Sequence, residues 1–192
     1  MSRKLAAHVQ DERAERHATT AVPLVPYPGM PALAHAVRVH VRREPDALAL
    51  RYVLAADAAS LRLPPRRAPR RRDGLWRHTC FELFVSAEGG GYDEFNFAPS
   101  GEWAAYRFAG YRREGTALEC AAPTIVSRVG KRRLELEAAV ACARRGRVTL
   151  GLCAVLEDVQ GRLSYWALRH PGMAPDFHRA EGFALELDEV RD

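Results

Sequence analysis

Lysine is almost missing from this 192-residue chain: Lys4 and Lys131 stand alone, and arginine supplies the rest of the 29 basic side chains. Against 24 acids this leaves a formal charge of +5, which would ordinarily point to nucleic acid. A chain that uses arginine wherever lysine would serve shows a compositional habit, so the charge is discounted and nucleic acid is not an expected partner. Long apolar runs are also missing. No stretch of about 18 apolar residues occurs, which excludes a membrane-spanning helix. The first residues are basic, but Gln10–Arg16 is densely charged where a signal peptide would carry an apolar segment, so a cytoplasmic location is expected.

Cysteine is sparse and scattered. Cys80, Cys120, Cys142 and Cys153 form no C-x-x-C pair, so neither a zinc knuckle nor a thioredoxin-type couple is indicated, and free thiols packed as small hydrophobes are expected. The chain has no G-x-S-x-G elbow, no P-loop, no dinucleotide glycine motif and no H-E-x-x-H. These absences leave no support for a nucleophilic enzyme. No helical period of useful length is present either.

Strand-like alternation is what the chain does have. Val37, Val39 and Val41 alternate with Arg38, His40 and Arg42, and after Glu44-Pro45-Asp46 the pattern resumes with Leu48, Leu50, Tyr52 and Leu54. Leu61–Leu63, Pro123–Val129, Arg132–Val140, Val148–Leu156, Leu163–Leu168 and Phe183 to Leu187 read as further strands. About ten short strands predict an all-β, immunoglobulin-like sandwich of antiparallel strands. Residues 1–34 are expected to form a polar tail and an extended arm, because prolines at 23, 26 and 28 disfavour a helix or a central strand. Residues 35–190 are expected to be the folded domain. Pro64 to Gly74, with arginines at 66, 67, 70, 71 and 72, is expected to be an exposed, solvated loop.

The middle of the chain holds the candidate site. Cys80–Ser86, Tyr92–Phe97 and Trp103–Phe108 read as a three-stranded meander in which each strand has an apolar and a mixed side. The mixed sides would gather Glu82, Glu94, Asn96, Trp103 and Arg107 on one face. An aromatic, two carboxylates, an amide and a guanidinium together suit a polar ligand better than a bare surface strand. His78 could line the same site or bond to backbone at the strand entry. Near the C-terminus, His170, Asp176 and His178 are weak candidates for a metal, at a spacing that matches no established motif.

Leu75-Trp76-Arg77-His78-Thr79-Cys80-Phe81-Glu82-Leu83-Phe84, Tyr92 to Gly101 and Ala105 to Arg112 together resemble bacterial DOMON-like proteins, which are related to family-nine carbohydrate-binding modules. Ser164 to Leu168, His170-Pro171 and Pro175 to His178 extend the resemblance over about residues 35–188. It implies a jelly-roll-like β-sandwich with a concave sheet face that takes sugars or haem in relatives. It further implies Trp76 and Trp166 as walls clamping a sugar, Glu82 as the hydroxyl-binding carboxylate and Arg107 as the accompanying guanidinium. Haem would need a Met and His axial pair, for which Met30, Met173, His170 and His178 are the candidates.

The sequence therefore predicts a non-catalytic domain binding a small, sugar-like ligand through Trp76, His78, Glu82, Glu94, Asn96, Trp103, Arg107 and Trp166, with no cofactor and no membrane partner. The alternatives are a haem-binding domain, a carboxylate-pair enzyme or accessory using Glu82 and Glu94, and a module receiving a protein partner on its sheet face.

Overall fold

A computed structural model describes residues 19–87, 90–142, 144 and 146–190. The expected N-terminal helix or tail of residues 1–18 lies outside them. Twelve antiparallel strands and three single 3₁₀ turns make up the regular structure. The strands are β1 Thr20–Pro26, β2 Ala36–Arg43, β3 Ala47–Ala55, β4 Cys80–Ala87, β5 Tyr92–Phe97 and β6 Trp103–Phe108. They continue as β7 Thr116–Ala117, β8 Thr124–Val129, β9 Arg133–Ala141, β10 Val148–Glu157, β11 Leu163–Ala167 and β12 Leu185–Leu187.

The strands join in the order β7-β6-β5-β4-β10-β11-β1-β2-β3-β9-β8, with β12 also pairing to β10, and the sheet curls into a half-barrel. β1 links its two wings. Thr20 to Leu24 pair with β2, whereas Val25 and Pro26 pair with β11. This corrects the expectation that the proline-bearing segment is an arm outside the sheet. Each part of β1 is paired along one side only, so a proline can present its missing N–H to the unpaired side and leave the ladder intact.

Alternation explains the interior. β2, β3 and β9 bury every second residue, and Val37, Val39, Val41, Leu48, Tyr52, Leu54, Leu134 and Leu136 meet Phe81, Leu83, Phe97, Leu150 and Leu152 of the other wing in one core. The Tyr52 hydroxyl crosses between the wings to donate to the Glu82 carbonyl at 2.7 Å. β5 and β10 behave differently, because their outward side chains are buried as well. A strand covered on both faces carries a heavy desolvation cost for polar residues, yet β5 holds Asp93, Glu94 and Asn96.

Two further expectations change. Leu61–Leu63 forms no strand; Leu61 makes an isolated bridge to Asp158. The arginine-rich loop lacks regular structure as expected, but it is strapped to the meander rather than simply solvated. Arg70 and Arg72 pair with the buried Glu102, and Arg71 donates to the Ala105 and Leu118 carbonyls while stacking its guanidinium 4.4 Å from the Trp103 ring centre. Among the described residues no helix is long and apolar enough to cross a membrane.

Replacing Tyr52 by Phe removes the wing-to-wing hydroxyl and leaves the packing volume nearly unchanged. The expected outcome is a loss of about 1 kcal/mol of unfolding free energy, read from the midpoint of a urea titration at constant slope.

Candidate functional site

The register of the meander decides which side chains meet. Glu82 lies opposite Asn96, Phe84 opposite Glu94, and Glu94 opposite Tyr106. β10 and β11 extend the same face with Cys153 beside Glu82, and with Val155 beside Cys80 and Tyr165. This face points away from the common core. The chain from Pro175 to His178 folds over it and closes a cleft of ≈ 380 Å³, lined by Trp76, Glu82, Glu94, Tyr106, Phe108, Arg112, Val155, Tyr165 and residues 175–178.

Packing holds this cover in place. Phe183 stacks on Phe84 with ring centres 5.4 Å apart, over the bare backbone of Gly151, where an added Cβ would lie 2.5 Å from the Phe183 ring. His178 packs edge-on against Phe84 and Phe108. The Tyr92 hydroxyl sits 2.8 Å from His178 Nδ1 and accepts from the Arg112 backbone N–H. With that lone pair taken, its own proton goes to Nδ1, which leaves the imidazole proton on Nε2, facing Glu94 Oε2 at 3.8 Å. Burial and the nearby Arg112 lower the His178 pKa to about 4, so the ring is neutral.

Two carboxyls form the floor. Glu82 is only 3% exposed, and among the described residues its Oε1 is the buried side-chain atom with no hydrogen-bond partner. Burial first, and Glu94 second, push its pKa well above 4.5 despite Arg112. Glu94 is raised by burial too, partly offset by the Asn96 amide, which donates to its Oε1 at 2.6 Å, and by Arg112. Arg112 reaches the cleft from a left-handed backbone, φ 50°, a conformation that costs an L-residue roughly 1–2 kcal/mol. Its guanidinium bonds Asp176 at 3.0 Å, and Tyr111 donates to the same carboxylate at 2.6 Å.

The aromatic walls have independent anchors. Trp76 rides on the 3₁₀ turn Leu75–Arg77, pinned by the buried Leu75, and stands 41% exposed at the mouth with its ring edge-on to Tyr106. Tyr106 donates to Asp73, and Tyr165 meets Phe177 edge-on.

Of the residues expected at the site, the structure brings Trp76, Glu82 and Glu94 into the cleft, with Asn96 directly beneath as the support of Glu94. The others are placed elsewhere. The five-residue connection from β5 to β6 pairs Phe97 with Trp103, which turns Trp103 and Arg107 to the opposite face from Glu82. Trp103 is therefore a core ring, and Arg107 is a bidentate partner of Asp93, at 2.7 and 3.1 Å, which Arg144 also contacts. Trp166 is 3% exposed in the same core, with its indole N–H on Ser164 Oγ, so the two tryptophans do not face each other across a ligand. His78 bonds Glu157 at 2.7 Å outside the cleft.

His170 bonds the Val25 carbonyl, while Asp176 and His178 are held by the contacts above. No cluster of three or more metal-binding side chains occurs among the described residues. Met173 is fully exposed and does not line the cleft with His178, so a Met and His axial pair is not assembled there and no haem chemistry is derived.

Tyr106, Phe108, Arg112, Val155, Tyr165 and Phe177 were missed as lining residues. A signal was available for the first two. Pairing Asp93 with Arg107 as opposite charges across a hairpin forces Tyr106 and Phe108 onto the Glu94 face.

No protein-family model matches the sequence, and no curated protein does. Among solved structures, the chain is similar to a protein of Bacteroides uniformis ATCC 8492 provisionally described as carbohydrate-binding, with a TM-score of 0.68 and 15% identity over 96% of this chain and 91% of that one. It is also similar to a family-nine carbohydrate-binding module of Caldicellulosiruptor kristjanssonii solved with glucose, with a TM-score of 0.51 and 10% identity over 86% and 83% of the two chains. The cellotriose complex of such a module from that organism gives the same score over 88% and 84%. The likeness is one of fold.

The raised Glu82 carboxyl has a consequence for stability. The folded state keeps a proton that the unfolded chain releases above 4.5, so its contribution is full below that pH and is lost as pH rises toward the folded value. Glu82→Gln removes this limb. The variant is expected to melt together with the wild type near about pH 4 and several degrees higher by roughly pH 8 in differential scanning calorimetry.

Proposed function

We propose that this chain is a non-catalytic, jelly-roll-like β-sandwich domain that binds a carbohydrate or sugar derivative in the cleft beneath residues 175–178. One observation carries the reading: Glu82 and Glu94 lie as a buried carboxyl pair at the base of a cleft of ≈ 380 Å³ walled by Trp76, Tyr106, Phe108, Tyr165 and Phe177. Aromatic faces pack against the C–H faces of a pyranose ring, and carboxyl groups bond its hydroxyls. The cleft volume falls within the usual range for small-ligand sites. The fold it shares with sugar-bound modules supports the same reading.

A binding role is favoured over catalysis because Arg112 and Asp176 neutralise each other and His178 is neutral, which leaves no evident base aligned on a leaving group. The carboxyl pair with one raised member is the feature that would serve an acid–base enzyme instead. The four cysteines are unpaired, which supports a reducing, cytoplasmic setting.

A thermal-shift panel of mono- and oligosaccharides, followed by calorimetry, tests the proposal. At least one sugar is expected to raise the melting temperature, and Trp76→Ala or Tyr165→Ala to weaken it about tenfold. If no sugar binds at millimolar concentration, the reading fails. Hydrolysis of an aryl glycoside that disappears in Glu82→Gln would replace it with the enzyme reading.

A further inference from the structure

We infer that the ligand of this cleft is an amino sugar with a protonated amine, its ammonium group seated between the carboxyls of Glu82 and Glu94. The inference rests on the sugar-binding reading above and narrows it to a charge class.

Charge balance across the cleft is the first ground. Every element packed around it contributes: Glu82 from β4, Glu94 from β5, Tyr106 from β6, Arg112 from the following loop, Tyr165 from β11, and Asp176 and His178 from the cover. Arg112 is committed to Asp176 at 3.0 Å, and His178 is bonded through Nδ1 to Tyr92. What remains is two carboxyls and no cation in direct contact with either. Arg107, which sequence alone would place beside them, is on the other face with Asp93. The site is short of one positive charge.

The unpartnered Glu82 oxygen is the second ground. A buried acceptor left unsatisfied is costly, and the contacts of the folded chain supply no donor to Oε1. A sugar hydroxyl brings one donor, whereas an ammonium brings three, enough to reach Glu82 and Glu94 at once. Aromatic walls add to this. Tyr106, Tyr165, Phe108 and Phe177 bound the space around the two carboxyls, and π faces attract a desolvated ammonium as well as packing on a pyranose.

Binding then has a proton balance. In the free protein the pair holds a proton, because burial and mutual repulsion disfavour two negative charges. An entering ammonium ionises both carboxyls, and the displaced proton passes to the buffer. A neutral sugar bonds the protonated pair and releases nothing. Affinity for the amine therefore rises with pH for as long as the amine stays charged, through loss of the Glu82 proton.

Isothermal titration of the full chain with glucosamine, glucose and N-acetylglucosamine, each in two buffers of different ionisation enthalpy, tests this. Glucosamine is expected to bind at least about tenfold more tightly than the other two, with a heat that depends on the buffer. Glu82→Gln and Glu94→Gln, each checked by its melting curve, are expected to erase both the preference and the proton release while keeping glucose binding. Equal affinity for glucose and glucosamine with no buffer dependence overturns the inference and leaves sugar binding intact. An amine preference surviving in both variants also overturns it. Should neither variant fold, the three-ligand comparison on the wild type decides alone. Binding of none of the three overturns this inference and, with a negative wider panel, the sugar reading too.

Discussion

The pairing register of β4 with β5 and β10, and of β5 with β6, is the constraint on which the rest depends. Because side chains alternate across a pleated strand, one register decides two faces together. With Glu82 opposite Asn96 and Cys153, Phe81, Leu83 and Val85 are sent to the common core and the carboxyls to the outer face. A slip by one residue would bury Glu82 among leucines and expose Phe81. The large inner core, with Tyr52 bonded across to the Glu82 carbonyl, makes that slip prohibitive.

With the register set, the outer face becomes an electrostatic compromise. Two carboxyls are taken out of water beside aromatic rings, with an amide for one and no donor for an oxygen of the other. A neutral His178 and an Arg112 already bound to Asp176 restrain the pair without cancelling it. Such an arrangement works against stability, as does the left-handed backbone at Arg112, and local costs of this kind gather at ligand sites. The arginine strap offsets some of it from behind, tying Glu102 and the β6 carbonyls to residues 70–72.

Much of the fold was legible because hydrophobic alternation is a local signal. The β2–β3 and β8–β9 hairpins and the central meander follow from it directly. β1 was misread because proline content speaks against a strand only where both sides are paired, and pairing is not a local property. Within the site, Trp76, Glu82, Glu94 and Asn96 could be found since they lie on or next to β4 and β5, whose relative register the hairpin sets. Trp103, Arg107 and Trp166 were assigned to the wrong face, since the parity of a loop and the order of distant strands decided where they point. The β10 and β11 strands meet the meander from far along the chain, and no local pattern announces that Tyr165 will stand near Glu82.

By itself the amino-acid sequence determined that the chain is all-β and that its middle third carries an unusual set of polar residues on alternating strands, because propensity and period act over a few residues. Tertiary structure alone decided which of those residues share a face, that residues 175–178 close over them, and that Glu82 is left without a partner. Those outcomes depend on contacts between segments tens of residues apart, where shape, burial and charge are settled together.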